Sequence, residues 1–431
     1  MEVLDLQTME VLLGGVGGVP RNVGLKTSAT DFAPRFGATW RVTSNTVARA
    51  GYGLTYNPLP FARPLRGFYP LTIANTWVSL NTWQPYSTLD QGIPEFTGPE
   101  PGQGHVPLPN TATMRTPDPD NVNRGYIQSW NVSVERRIPF DMSVTAGYVG
   151  TKTTRGYADL ELNVSPPGGG EAGRVFFPQF GRTASTTLWG GWTRNQYHSL
   201  QMQLSRPFKK GLLIRGAYTL GKTMNMADQD GWVGLLYNSP EVFERNYAPA
   251  GFDRRHTFTM AYSYHLPFGS HRPVTLANVL VRDWQLNGTF AGYSGSPFTV
   301  TASNTSLDQR GNQQTADLIG DLVRVGTGPD EPFYDPAAFA NVTERRYGNT
   351  GRNQFYGPGY WTYNMSLFRT FPLQGRVRMQ FRAEGFHITN HPLWVNPNNS
   401  VTSNSFMRIS ATRGGSNPIT RYVRFGVRLE F

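Results

Sequence analysis

The sequence predicts an all-β fold: an antiparallel transmembrane β-barrel, about eleven strands of it, a partial barrel with long loops on one side and short turns on the other. Three observations predict it. Segments of about ten residues alternate between apolar and polar side chains, the length a tilted membrane strand needs. Tight turns and long Pro-, Gly- and Asn-rich stretches take turns as connections. Trp and Tyr gather near the ends of the apolar faces, as in an aromatic girdle.

The last eleven residues carry the pattern most plainly. Val423, Phe425, Val427, Leu429 and Phe431 fall on one face of a strand, and Tyr422, Arg424, Gly426, Arg428 and Glu430 on the other. An apolar face suits lipid. A charged face needs water, which a barrel lumen supplies.

Composition bounds the alternatives. The chain has 431 residues, 38% of them hydrophobic, and a mean hydropathy of −0.42. No apolar run approaches the ~18 residues of a membrane helix. Cysteine is absent, which excludes disulfides, thiolate metal sites and cysteine nucleophiles. The net charge of +11 invites a nucleic-acid reading, but arginines recur singly, with no basic stripe. Nucleic acid is therefore not an expected partner.

Residues 1–34 read as a weakly structured N-terminal segment, with Gly14-Gly15-Val16-Gly17-Gly18 as a flexible linker, and residues 35–431 as the barrel portion. Arg35 to Val42 and Thr46 to Asn57 form the first hairpin. A long loop spans 58–125. Tyr126 to Ile138 turns at Pro139-Phe140-Asp141 into Met142, Val144, Ala146 and Tyr148. A second loop covers about 153–195. His198 to Ser205 and Leu212 to Leu220 flank a Lys209-Lys210-Gly211 turn. After a loop at 224–254, His256 to Tyr264 leads through 267–282 to Trp284, Leu286, Gly288 and Phe290. A fourth loop spans 297–358. Trp361 to Leu367 and Val377 to Glu384 surround the Pro372-Leu373-Gln374-Gly375 turn. The final loop, 388–420, is expected to hold a small hairpin near 405–411.

An odd number of strands leaves a barrel unclosed, and counting back puts the first strand's start on the long-loop side. Strands upstream of residue 35 are the expectation. Residues 1–20 lack a basic n-region and a long apolar run, so they do not read as a signal peptide. The chain is therefore expected to be either intracellular or a fragment of a longer product, and the missing strands favour the fragment.

The motifs resemble the C-terminal part of the Oar-like TonB-dependent receptors. The matching stretches include Asp31-Phe32-Ala33-Pro34-Arg35-Phe36-Gly37, Gln128-Ser129-Trp130-Asn131-Val132-Ser133-Val134-Glu135-Arg136 and Gly147-Tyr148-Val149-Gly150-Thr151-Lys152. Gly348-Asn349-Thr350-Gly351-Arg352-Asn353, Phe381-Arg382-Ala383-Glu384-Gly385-Phe386 and Thr389-Asn390-His391-Pro392 also match. The resemblance implies a cell outer-membrane transporter barrel of 22 strands around a plug, energised by TonB. Here the plug and the N-terminal half of the barrel would lie outside this chain, and TonB would act only through that missing region. The resemblance also makes Phe431 part of the signal read by the barrel-assembly machinery.

Arg376, Arg378, Arg382, Glu384, Arg424 and Arg428 are expected to face the lumen, with ion pairing along the wall favoured over contact with an anionic solute or a plug. No catalytic, cofactor or metal constellation stands out. His387 and His391 flank a strand end and read as turn hydrogen bonding, and Asp253-Arg254-Arg255-His256 as pairing at a loop base. An enzyme is not expected. The competing class is a soluble or surface-attached all-β module that binds a partner with its long aromatic loops. It requires the apolar faces to pack on one another.

Overall fold

A computed structural model describes residues 2–26, 28, 30–57, 68–73, 77–79, 81–120, 122, 124–228, 234–268, 282–373, 376–414 and 420–431. Eleven strands form one antiparallel sheet in chain order. They are β1 (Arg35–Thr43), β2 (Thr46–Tyr56), β3 (Tyr126–Ile138), β4 (Met142–Glu161), β5 (Thr186–Lys209) and β6 (Leu212–Asn225). They continue as β7 (His256–His265), β8 (Trp284–Tyr293), β9 (Tyr360–Pro372), β10 (Arg378–Phe386) and β11 (Tyr422–Glu430). Each pairs with its sequence neighbours, and β1 and β11 do not pair with each other among the described residues. The sheet is an unclosed wall.

The connections sort by side. Residues 44–45, 139–141, 210–211, 266–283 and 373–377 join strands at one end, and 57–125, 162–185, 226–255, 294–359 and 387–421 at the other. The five connections of more than twenty residues therefore lie on one side, and β1 begins on that side.

Register fixes the faces, because directly paired residues project the same way. In β10 and β11, Met379 opposes Leu429, Phe381 opposes Val427 and Ala383 opposes Phe425. On the other face Arg378 opposes Glu430, Gln380 opposes Arg428 and Glu384 opposes Arg424. The same division continues across the sheet. Trp130, Val132 and Val134 join Tyr148, Ala146, Leu200 and Met202 on the apolar face.

Four expectations need correction. Residues 153–195 are not all loop: β4 and β5 run on to Glu161 and back to Thr186. Register shifts between Thr154, Gly156 and Ala158 break the two-residue period there. Residues 1–34 hold a hairpin, Glu2–Asp5 with Glu10–Leu13, whose second strand pairs with His105–Pro107. Leu4, Val11 and Leu13 bury themselves with Val106, Leu108 and Met114. The strands are three or four residues long, too short to show a period, and the second one's outer partner is about a hundred residues away. The Gly14–Gly18 run is a packed turn rather than a linker. Gly17 has φ +56°, and a Cβ there would lie 2.1 Å from the Gln103 carbonyl oxygen. Residues 405–407 form a turn, with Met407 at φ +61°, and 408–411 are irregular, so this stretch is not a hairpin.

The core is not under the sheet. Its main clusters lie at the long-loop end, which we call the crown. Phe298, Val300, Ala316, Phe339, Phe355, Phe406 and Met407 make the largest, joining the loops 294–359 and 387–421. The hydrophobic burial that stabilises this part of the chain is crown packing.

Candidate functional site

Two surfaces could carry function: the polar face of the wall and the crown above it. On the six central strands the polar face is hydroxyl and amide. Thr145 opposes Gln203, Thr259 opposes Ala217 and Ala291, Asn287 opposes Ser263 and Ser366, and Asn364 opposes Thr289. Short ties run along it, such as Gln285 Nε2 to Ser263 Oγ at 2.8 Å and to Asn287 Oδ1 at 2.7 Å. Among the described residues at this height, Arg215 is the charged exception. Ala217, Ala261 and Ala291 leave a hollow of about 590 Å³ beside it and Gln203.

Charge collects at the two ends of the sheet. At one end Arg49 Nη1 reaches Glu135 Oε2 at 2.8 Å. At the other, Arg424 binds Glu384 through Nε at 2.8 Å and Nη2 at 2.7 Å. Arg382 donates to Gln380 Oε1 at 2.7 Å and lies over the Phe368 ring, while Arg428 Nε sits 3.3 Å from Glu430 Oε1. Of the six residues expected to line a lumen, Arg378, Arg382, Glu384, Arg424 and Arg428 share the polar face, in register. Arg376 is brought elsewhere. It precedes β10, in the turn, and is exposed. All these pairs are solvated, so each contributes little to stability.

The crown is held by buried polar groups that the sequence did not mark. The Arg182 side chain is almost fully buried. It donates to Thr186 Oγ1 at 2.6 Å and to the carbonyls of Pro109 (2.9 Å), Ala112 (2.8 Å) and Ser185 (3.1 Å). Burial pushes its pKa down to about 10, with the Glu161 carboxylate opposing the shift, so it stays charged at neutral pH. Arg352 ties the Asn225 and Asn246 carbonyls at 2.9 and 3.0 Å.

Arg346 forks onto Asp317, Nη1 to Oδ1 at 3.0 Å and Nη2 to Oδ2 at 2.7 Å. That hydrogen bond holds the Asp317 carboxyl below its usual range. A lowered carboxylate pKa means stability that is complete above the unfolded value, near 3.9, and lost as pH falls through the folded one. Amide exchange at Leu318 and Asn349 should therefore quicken as pH drops below about 4, relative to the chemical exchange rate. Asp317→Asn should abolish that step. A step that survives in Asp317→Asn would assign it to another carboxylate.

His387 and His391 close a turn. His387 Nε2 lies 2.6 Å from the His391 carbonyl oxygen, and the His391 ring packs on Trp361 at 4.1 Å. No group of three or more metal-ligating side chains occurs among the described residues. At the loop base, Asp253 Oδ1 accepts from the Thr223 amide at 2.7 Å, and His256 Nδ1 meets the Tyr218 hydroxyl at 2.8 Å.

A competing soluble module would need the apolar face to be covered. Val132, Leu200, Phe425 and Val427 are exposed instead. The family model for the outer membrane beta barrel domain matches residues 1–424. The chain belongs to the outer membrane beta barrel domain family. That membership places this barrel domain in the outer membrane, with its apolar face toward lipid, and sets the enzymatic reading aside.

Solved structures similar to this barrel domain include transporters. The outer membrane transporter YddB from Escherichia coli aligns at TM-score 0.48 and 10% identity, over 92% of this chain and 40% of that one. The FrpB iron transporter from Neisseria meningitidis (F3-3 variant) aligns at 0.43 and 10%, over 97% and 41%. The ferric citrate transporter FecA, in its unliganded form, aligns at 0.41 and 10%, over 92% and 38%. The barrel domain thus spans well under half the length of these proteins. Among curated proteins, none matches it.

Proposed function

We propose that this barrel domain is the C-terminal wall of an Oar-like TonB-dependent receptor, a passage for a solute across the outer membrane. The observation that carries the reading is the two-faced wall under a one-sided crown. One face meets lipid, the other is mainly a hydroxyl and amide surface, and the five longest connections stand at one mouth. The Oar-like motifs supply the receptor class.

In this reading the unpaired edges of β1 and β11 meet further strands of the same protein, because an open edge in hydrocarbon leaves backbone groups unsatisfied. A plug fills the lumen, TonB acts through that plug region, and Phe431 is read by the barrel-assembly machinery. Arg378, Arg382, Glu384, Arg424 and Arg428 line the lumen as a hydrated charged strip.

An antibody raised against residues 297–358 tests this on native membranes. The expected band fractionates with the outer membrane and runs far above 48.1 kDa, with a mobility that changes on heating. A native product of 48 kDa in the soluble fraction would overturn the reading.

A further inference from the structure

The lipid-facing side of the wall turns polar just below the crown, on three adjacent strands. Tyr148 in β4, Leu200 in β5 and Leu220 in β6 stand in one row of the apolar face. One step toward the crown the row is Gly150, His198 and Lys222, and the next is Lys152, Gln196 and Met224. Residues two apart share a face, and no register shift falls between these rows. Lys152, His198 and Lys222 therefore project on the same side as Leu200, and all three are exposed. Closing the barrel with further strands would leave this face outward.

Neither lysine has an ion-pair or hydrogen-bond partner among the described residues. Arg194, a cation further up the same face of β5, is already held by Glu244. His198 stacks on the Tyr148 ring, and its Nδ1 lies 2.6 Å from the Tyr148 hydroxyl. With that hydroxyl donating to Nδ1, the ring proton sits on Nε2, which is left to donate elsewhere.

Height decides what meets these donors. Trp130, Tyr148 and Tyr218 band this end of the apolar face, and such rings sit at the headgroup level. The two lysines stand at the crown-side edge of that band. Long loops face the exterior in such barrels, so this edge lies in the headgroup layer of the outer leaflet. The leaflet there is built from phosphorylated glycolipid, and its phosphates are strong acceptors for ammonium groups. From strand spacing and rise, the Cα atoms of Lys152 and Lys222 are about 12 Å apart, with His198 between them. That is the breadth of a disaccharide with a phosphate at each end, and wider than the one phosphate of a glycerophospholipid.

We propose that Lys152, His198 and Lys222 form a binding site for the phosphorylated disaccharide headgroup of one outer-leaflet glycolipid. The lysines take its phosphates, and its acyl chains run down over the exposed side chains of Leu200 and Leu220. The site rests on outer-membrane placement with the crown outward, and not on the receptor reading.

The test uses the native product purified from outer membranes in a neutral maltoside detergent, washed free of lipid and immobilised. Radiolabelled lipid A is the probe. The expected result is one lipid A retained per protein, with affinity weakened about tenfold or more when Lys152→Gln and Lys222→Gln are combined. Lys209→Gln with Lys210→Gln makes the same change of charge at the short-turn end and should leave retention unchanged. Unchanged retention in the first pair overturns the proposal, and so does an equal loss in the second. Lipid A stripped of both phosphates needs no variant. The parent protein should hold it about tenfold more weakly, and equal retention overturns the site. Competition by phosphatidylglycerol or inorganic phosphate at lipid A's own concentration would make this a general anion site and overturn the glycolipid assignment.

Discussion

Val427→Arg should destabilise the folded, membrane-inserted chain by about 2–4 kcal/mol, while Arg428→Gln should change it by less than about 0.5 kcal/mol. The two positions are adjacent on β11 and differ only in face. Val427 opposes Phe381 on the apolar side, near the middle of the strand. An arginine there has no partner and no short path to water. Arg428 lies on the polar side, next to Glu430 and opposite Gln380, where glutamine keeps a hydrogen-bonding group in a wet environment. Equilibrium unfolding in phospholipid vesicles measures both. Equal cost at the two positions would mean that β11 does not present Val427 to lipid.

The second large effect belongs to the crown. Arg182→Met should cost about 3–5 kcal/mol of crown stability. Methionine fills much of the volume but makes none of the guanidinium's hydrogen bonds: the Ala112 carbonyl loses its donor, while those of Pro109 and Ser185 keep the amides of Ala112 and Met114, at about 1–3 kcal/mol for a buried group left unmade. Those carbonyls belong to two separate stretches, 109–112 and 182–186, which Arg182 staples together. Amide exchange of Met114 and Ala184, bonded to the Ser185 and Asn110 carbonyls, should rise sharply in the variant. The sheet pairs from Ser143/Ser205 to Thr153/Asn195 should keep their protection. Loss of protection through the whole sheet would show that crown and wall unfold as one unit. Unchanged exchange at Met114 would show that the staple contributes nothing.

How much of this could be read in the residues follows from period and reach. Strands β1–β3 and β6–β11 sit where alternation put them, because one face meets lipid and the other water, and the two-residue period survives from end to end. The lower halves of β4 and β5 were legible for the same reason. Their upper halves were not. Bulges at 154–158 interrupt the alternation, and beyond them Tyr157 and Trp189 are buried with Val122, and Ala158 with Met226 and Leu235. A strand covered on both faces by loops has no lipid-facing period to show. The five polar-face residues Arg378, Arg382, Glu384, Arg424 and Arg428 were placed by alternation too, and Arg376 was not, because the strand begins two residues later. Arg182 gave no signal. It matters through carbonyls of two separate segments, and a lone arginine in a sequence does not say which of its neighbours in space will be acceptors.

The one-sided crown has a consequence for assembly. Short turns face the periplasm and long loops the exterior in such barrels, so every crown segment crosses the bilayer from the periplasmic side. A folded crown could not make that crossing, because its buried arginines and carbonyl clusters fill a body far wider than a strand pair. The crown therefore assembles last, on the far side, after the hairpins have carried their loops through. Time order in this protein runs from the turns upward: the register of the wall is set by tight turns at the trailing end, and the polar staples lock afterward. A chain arrested part-way would have protected hairpins and loops that an external protease still cuts.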